Sequence, residues 1–177
     1  MQIRNIKVGS LETNCYILTN GNGCIVIDPG DEYDKIAQEI GNQELKFIIV
    51  THYHFDHIGA LEELSKNYNV PIYDINNLEE KRYQLAGYNF EVIYTPGHKS
   101  DSISLYFYEY NFMFTGDFLF QGTIGRTDLE TGSMKEMENS LLKISKYPDT
   151  IKIYPGHGGF STLGEEKRTN YYLRKYN

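Results

Sequence analysis

Thr51-His52-Tyr53-His54-Phe55-Asp56-His57 puts three imidazoles and a carboxylate into one short stretch, directly after the apolar run Phe47-Ile48-Ile49-Val50. The chain has five histidines in all. The other two also stand in turns after apolar runs, in Tyr94-Thr95-Pro96-Gly97-His98 and Ile153-Tyr154-Pro155-Gly156-His157. Imidazole and carboxylate are the ligands of choice for a divalent transition metal. If the chain leaves the strand extended, His52, His54 and Asp56 project to the same side. A catalytic zinc normally takes three protein ligands and keeps one position open, so four neighbouring ligands are too many for one ion. Two ions resolve the surplus. His52, His54 and His98 are expected to hold one; Asp56, His57 and His157 the other. A bridge is then needed, and Asp117, ending Phe114-Thr115-Gly116-Asp117, is the best-placed carboxylate. Asp56 and Asp117 are thus the carboxylates expected at the reacting centre. Such a donor set accepts two divalent ions, zinc foremost, with iron or manganese as alternatives.

The surrounding sequence supplies strands to carry these turns. Gln2 to Val8 alternates apolar and polar residues, and Cys15-Tyr16-Ile17-Leu18 and Cys24-Ile25-Val26-Ile27 follow as strands joined by the turn Asn20-Gly21-Asn22-Gly23. Ile36, Ala37 and Ile40 give a short helix over 32–41, and Ile58, Leu61, Leu64 and Tyr68 one directly after the cluster. Further strands are expected at 71–75, 90–95, 102–107, 111–115 and 150–154. Ser133 and Thr162, each three residues before a glutamate, open two helices, the second running to Arg174 and Lys175. The order of strands and helices, given twice, predicts an α+β fold of two facing sheets with helices outside, a four-layer αββα sandwich in one domain over 1–177.

Composition narrows the function. At 177 residues the chain can bury a sizeable core, and its net charge of −7 argues against nucleic-acid phosphate as a partner. No apolar run approaches the roughly 18 residues of a membrane span, and no signal-peptide core stands at the start, so a cytoplasmic monomer or small homo-oligomer is expected. Cys15 and Cys24 are too few for a disulfide framework and are expected as small strand filler. Most of the 16 tyrosines are expected at the core edge.

The motif His52-x-His54-x-Asp56-His57, with His98, Asp117 and His157, resembles the metallo-β-lactamase superfamily at all seven ligand positions of its dinuclear hydrolases. Thr13-Asn14-Cys15-Tyr16, Ile27-Asp28-Pro29-Gly30, Thr51 to Gly59, Thr95 to His98, Phe114 to Asp117 and Gly125-Arg126-Thr127-Asp128 look like its glyoxalase II branch. The resemblance runs through nearly the whole chain. It implies the metallo-β-lactamase fold and hydrolysis of a small-molecule thioester, such as a hydroxyacylglutathione, by a metal-bridging hydroxide. Glyoxalase II enzymes that grip glutathione carry a further C-terminal helical region. Here the chain runs on from His157 only to residue 177, so the carrier thiol stays open.

The leaving group gives an independent argument. With five histidines assigned to metal, none is left to protonate it; a thiol, with a pKa near 8.5, leaves readily as thiolate, whereas an amine does not. Among other residues, Asp28 is expected to orient the site, and Thr51 and Thr95 to hydrogen-bond in the ligand loops. Arg126 and Asp128 are expected to pair and fix the 116–131 loop. That loop is expected to line the pocket, with Phe118 and Phe120 as apolar walls, and Lys99 is expected to be solvated. Rival readings on the same fold are a mononuclear iron persulfide dioxygenase and a phosphodiesterase or nuclease. A non-catalytic module would have lost ligands. Flavin-linked diiron reductases place a glutamate where His54 stands.

Overall fold

A computed structural model describes residues 1–176, so the last residue of the expected 1–177 domain lies outside the described residues. The first sheet holds β1 (Gln2–Val8), β2 (Thr13–Thr19), β3 (Cys24–Ile27), β4 (Leu45–Ile49) and β5 (Ile72–Tyr73) in that order. Its first two pairings are antiparallel and its last two parallel. Between these strands lie α1 (Tyr33–Ile40), α2 (Phe55–Ile58) and α3 (Leu61–Tyr68). The second half adds β6 (Arg82–Leu85), β7 (Tyr88–Tyr94), β8 (Ile103–Phe107), β9 (Phe112–Gly116), β10 (Leu119–Phe120) and β11 (Thr123–Ile124). It ends with α4 (Met134–Ile144), β12 (Lys152–Pro155), β13 (Ser161–Thr162) and α5 (Leu163–Thr169). The second sheet has the order β13-β12-β9-β8-β7-β6, and β10 and β11 form a separate hairpin.

Alternation along the strands divides the apolar residues into three layers of packing. Tyr16, Leu18, Ile25, Ile27, Phe47 and Ile49 face Phe90, Val92, Leu105, Phe107 and Phe114 between the sheets. Cys15, Ile17, Cys24, Val26 and Ile48 face the other way, onto Ile36, Ile40, Leu61 and Leu64 of α1 and α3. On the far side, Ile93, Met113 and Ile153 pack on Met137, Leu141 and Ile144 of α4 and Leu163 of α5. This is the expected αββα sandwich, and both cysteines are free and buried strand filler.

Four local expectations change. The helix after the cluster begins earlier, at Phe55, and breaks at Gly59, where the chain touches the turn after β3: a Cβ on Gly59 would lie 2.3 Å from the Gly30 oxygen. Strands β6 and β13 were not expected. The 116–131 loop contains the β10–β11 hairpin. The Thr162-capped helix stops at Thr169 instead of reaching Lys175, because the Asn170 side chain turns back to Glu166 and to the Thr123 oxygen. A 3₁₀ turn at Arg174–Tyr176 follows.

Candidate metal centre

Strand ends from both sheets deliver the seven residues to one place. His52 and His54 leave β4, His98 follows β7, Asp117 follows β9 and His157 follows β12. Asp56 departs from the extended expectation: it rides with His57 on the helical turn α2, which brings both toward His157. Three overlapping groups of convergent ligand atoms result: His52, His54 and His98; His52, His57 and Asp117; and Asp56, His57 and His157.

His54 Nδ1 lies 3.1 Å from His52 Nε2 and 2.8 Å from His98 Nε2. Asp56 Oδ2 lies 3.1 Å from His157 Nε2 and 3.6 Å from His57 Nε2. Ligand atoms about 2.0–2.1 Å from a tetrahedral ion stand roughly 3.3 Å from one another, so these separations suit metal coordination. Asp117 lies between the groups, with Oδ1 3.3 Å from His57 Nε2 and Oδ2 3.6 Å from His98 Nε2 and 3.5 Å from His157 Nε2. His57 Nε2 and Asp117 Oδ1 are buried with no hydrogen-bond partner. Two such atoms facing one another are costly unless a cation lies between them. Gly156 keeps that space open: a Cβ there would stand 2.1 Å from Asp117 Oδ1 and 2.7 Å from His57 Cε1.

The outer nitrogens are anchored so that the inner ones carry lone pairs. His98 Nδ1–H donates to the Arg126 oxygen at 2.8 Å and His157 Nδ1–H to the Leu11 oxygen at 3.1 Å. His57 Nδ1–H donates to Asp28 Oδ2 at 2.9 Å. His52 Nδ1–H donates to the Thr51 hydroxyl at 3.1 Å, and that hydroxyl donates in turn to Asp28 Oδ2 at 2.6 Å. Thr51 N donates to Asp28 Oδ1 at 2.7 Å. One buried carboxylate therefore sets two imidazoles, as expected for Asp28 and Thr51. Thr95 instead bonds to Ser104 within the second sheet. Thr13, whose side chain carried no sequence expectation, donates to Asp56 Oδ2 at 2.9 Å.

Electrostatics without metal separate the two halves. Burial and the neighbouring His57 and His98 hold His52 well below its ordinary pKa, and burial with His98 lowers His54. Both are therefore neutral near pH 7, the form in which an imidazole can bind metal. Burial opposes a charge on His57, but Asp28 and Asp117 outweigh it and raise its pKa to about 10. Burial also opposes the charged forms of Asp117 and Asp56, and the surrounding histidines reverse this and keep both ionised.

The site floors a cavity of about 730 Å³. From the 116–131 loop it is lined by Asp117, Arg126, Leu129, Glu130 and Thr131, not by the two expected phenylalanines. Phe118 is 0% exposed and packs with Met137 and Leu141, because the β10 hairpin turns it into the outer core. Phe120 stands edge-on to the His157 ring at 6.2 Å. Arg126 and Asp128 form the expected pair, with a two-pronged contact at 2.7 and 2.8 Å. Lys99 is not the freely solvated lysine expected: it is half-buried, lines the cavity and holds Asp101 at 2.6 Å, while Asp101 accepts from Tyr53 N. No helix among the described residues is long and apolar enough to cross a membrane.

Similar proteins agree on this architecture and differ in what they are named for. The chain is 32% identical to the hydroxyacylglutathione hydrolase GloC of Haemophilus influenzae, over 98% of each chain. The crystal structure of the BLEG-1 B3 metallo-beta-lactamase superposes with a TM-score of 0.93 at 28% identity, covering 97% of this chain and 99% of that one. TTHA1623, crystallised in a di-iron-bound form, gives 0.88 at 32% identity, covering 96% and 100%. The family model of the metallo-beta-lactamase superfamily matches residues 8–82 and 78–157. The chain belongs to the metallo-β-lactamase superfamily, and with it to a family of metal-dependent hydrolases.

Proposed function

We propose that this protein is a dinuclear metal-dependent thioesterase of glyoxalase II type, acting on a hydroxyacylglutathione or a related small thioester. The observation that carries the reading is the convergence of five histidines and two aspartates beneath one cavity, with His54, His98, His157, Asp56 and Asp117 lining it, His52 and His57 buried, and four of the outer nitrogens anchored. His52, His54 and His98 would hold one divalent ion, Asp56, His57 and His157 the other, and Asp117 would bridge them. Zinc suits this donor set, as do iron and manganese. The pair of ions would supply a lowered water pKa and a polarised substrate carbonyl. Residues 1–177 would act as one domain.

The chain's own residues supply preorganisation. The Asp28–Thr51 pair fixes the tautomers of His57 and His52, and Thr13 fixes Asp56. The thioester preference follows from what is missing. No histidine remains free as an acid, and the Tyr53 hydroxyl over the cavity is engaged by Asp74. A leaving group that departs as an anion is therefore favoured, and thiolate is one. Metal-replete protein should hydrolyse S-D-lactoylglutathione or a simpler acyl thioester; failure on both, with two metals bound, refutes the proposal.

A further inference from the structure

The floor of the cavity is polar, but its rim is not. Phe55, Leu11 and Leu129 line the mouth and are 75%, 52% and 40% exposed, while His98 on the floor is 4% exposed. A single exposed apolar side chain is ordinary, but three gathered round the rim of one cleft suit a binding surface. Two of the three stand on backbone tied to the site. Phe55 stands between the ligand candidates His54 and Asp56 on α2, and the backbone oxygen of Leu11 anchors His157.

The cations at the same mouth are already engaged. Lys99 pairs with Asp101 at 2.6 Å, and Arg126 grips Asp128 through two contacts. Glu130 adds a negative charge to the lining. A thiol bearing carboxylates, such as glutathione, would meet no unpaired cation there. A substrate carbonyl must lie on the floor, against the ligand atoms, and a small acyl group stays there with it. The longer thiol arm is what crosses the rim.

We infer that Phe55, Leu11 and Leu129 select a thioester whose thiol arm is apolar and uncharged. This rests on the thioesterase reading and narrows its substrate. The test compares lactoyl thioesters of benzyl thiol and of glutathione. Wild-type protein should favour the benzyl thioester at least about tenfold in kcat/KM, the effect of covering one to two methylene equivalents of rim. Phe55→Ser should cut that ratio about fivefold or more, Leu129→Ser about threefold, and Phe55→Leu should restore most of it. Leu142→Ser, on the outer face of α4, should leave the ratio unchanged. A readout free of turnover is calorimetric binding of a benzyl thioether to metal-free protein, expected to weaken about tenfold in Phe55→Ser. Leu129 lies away from the ligands, so its variant keeps the test valid if Phe55→Ser loses metal. Hydrolysis of both thioesters with no preference, or a preference that neither rim variant alters, overturns this inference alone. Hydrolysis of neither by fully metallated protein overturns the thioesterase reading and this inference with it.

Discussion

Asp28→Asn isolates the contribution of the buried carboxylate behind the metal ligands. Asp28 sits at φ 53° and is 1% exposed. Asparagine tolerates that left-handed backbone as well as aspartate does, so the main chain should not move. Only the acceptor changes. In the native site Oδ2 accepts both from His57 Nδ1–H at 2.9 Å and from the Thr51 hydroxyl at 2.6 Å, and Oδ1 accepts from Thr51 N at 2.7 Å. If the asparagine oxygen keeps the Thr51 amide, its NH₂ group opposes two donors. His57 must then rotate or move its proton from Nδ1 to Nε2, and a proton on Nε2 blocks the lone pair that the metal needs. Loss of a partner behind a ligating histidine typically costs about 10–100-fold in metal affinity, or roughly 1.4–2.7 kcal/mol. The loss should fall on the ion held by Asp56, His57 and His157. The ion at His52, His54 and His98 should weaken by less than about tenfold, through the Thr51 relay to His52. Chelator competition, followed as two binding steps, measures both. Wild-type affinity for both ions, or a loss confined to the His54 side, would refute the reasoning.

Other perturbations address separate parts of the account. His54→Ala should lose the first ion and nearly all turnover, by elemental analysis and thioester assay, since no other side chain supplies its Nδ1. Gly156→Ala should leave the protein folded by circular dichroism and cut turnover by about 100-fold or more, because the added methyl would collide with Asp117 Oδ1 and His57 Cε1. Phe118→Ala should destabilise by about 3–5 kcal/mol in urea melts, as a core truncation, with thioester KM little changed. In metal-free protein, His57 has a folded pKa raised to about 10. Its stabilising contribution is complete below the unfolded value near 6.5 and is lost as pH rises toward 10, so stability should fall over that window, on the order of a few kcal/mol in all, read as a falling Tm. A metal-free His57→Gln variant with the same slope would contradict this.

The site was legible where chemistry is dense in the sequence. His52, His54, Asp56 and His57 fall within six residues, and His98 and His157 share a Pro-Gly-His turn after a strand, so these six pointed to one another before any fold was known, and Asp117 was added as the carboxylate at a strand end. The sandwich was legible from the order of strands and helices, given twice, with alternation in Gln2–Val8 and short apolar runs such as Cys24–Ile27 marking the strands. What escaped depends on long-range contacts. The helical turn that redirects Asp56 ends where Gly59 packs on the turn at Gly30, a contact that no local pattern shows. Strand β13 is two residues long and is defined by its pairing with β12. Phe118 and Phe120 looked equivalent in a glycine-dotted loop, and only the hairpin decides that the first enters the core. Thr13 reaches Asp56 across 43 positions of sequence, a tertiary approach, whereas Lys99 and Asp101 are only two residues apart and it is Tyr53 N that meets Asp101 from afar. Thr13 lay within a stretch shared with the family, and that was the one signal that could have singled it out.

The central claim is a pair of ions on one bridging carboxylate. Its most direct test is metal stoichiometry of metal-replete protein beside the Asp117→Asn variant, with thioester hydrolysis read on the same samples. The account predicts about two ions per chain and turnover in the wild type, and about one ion or fewer, with turnover lost, in the variant. A single ion in the active wild type, or two tightly held ions and full activity after Asp117→Asn, would contradict it.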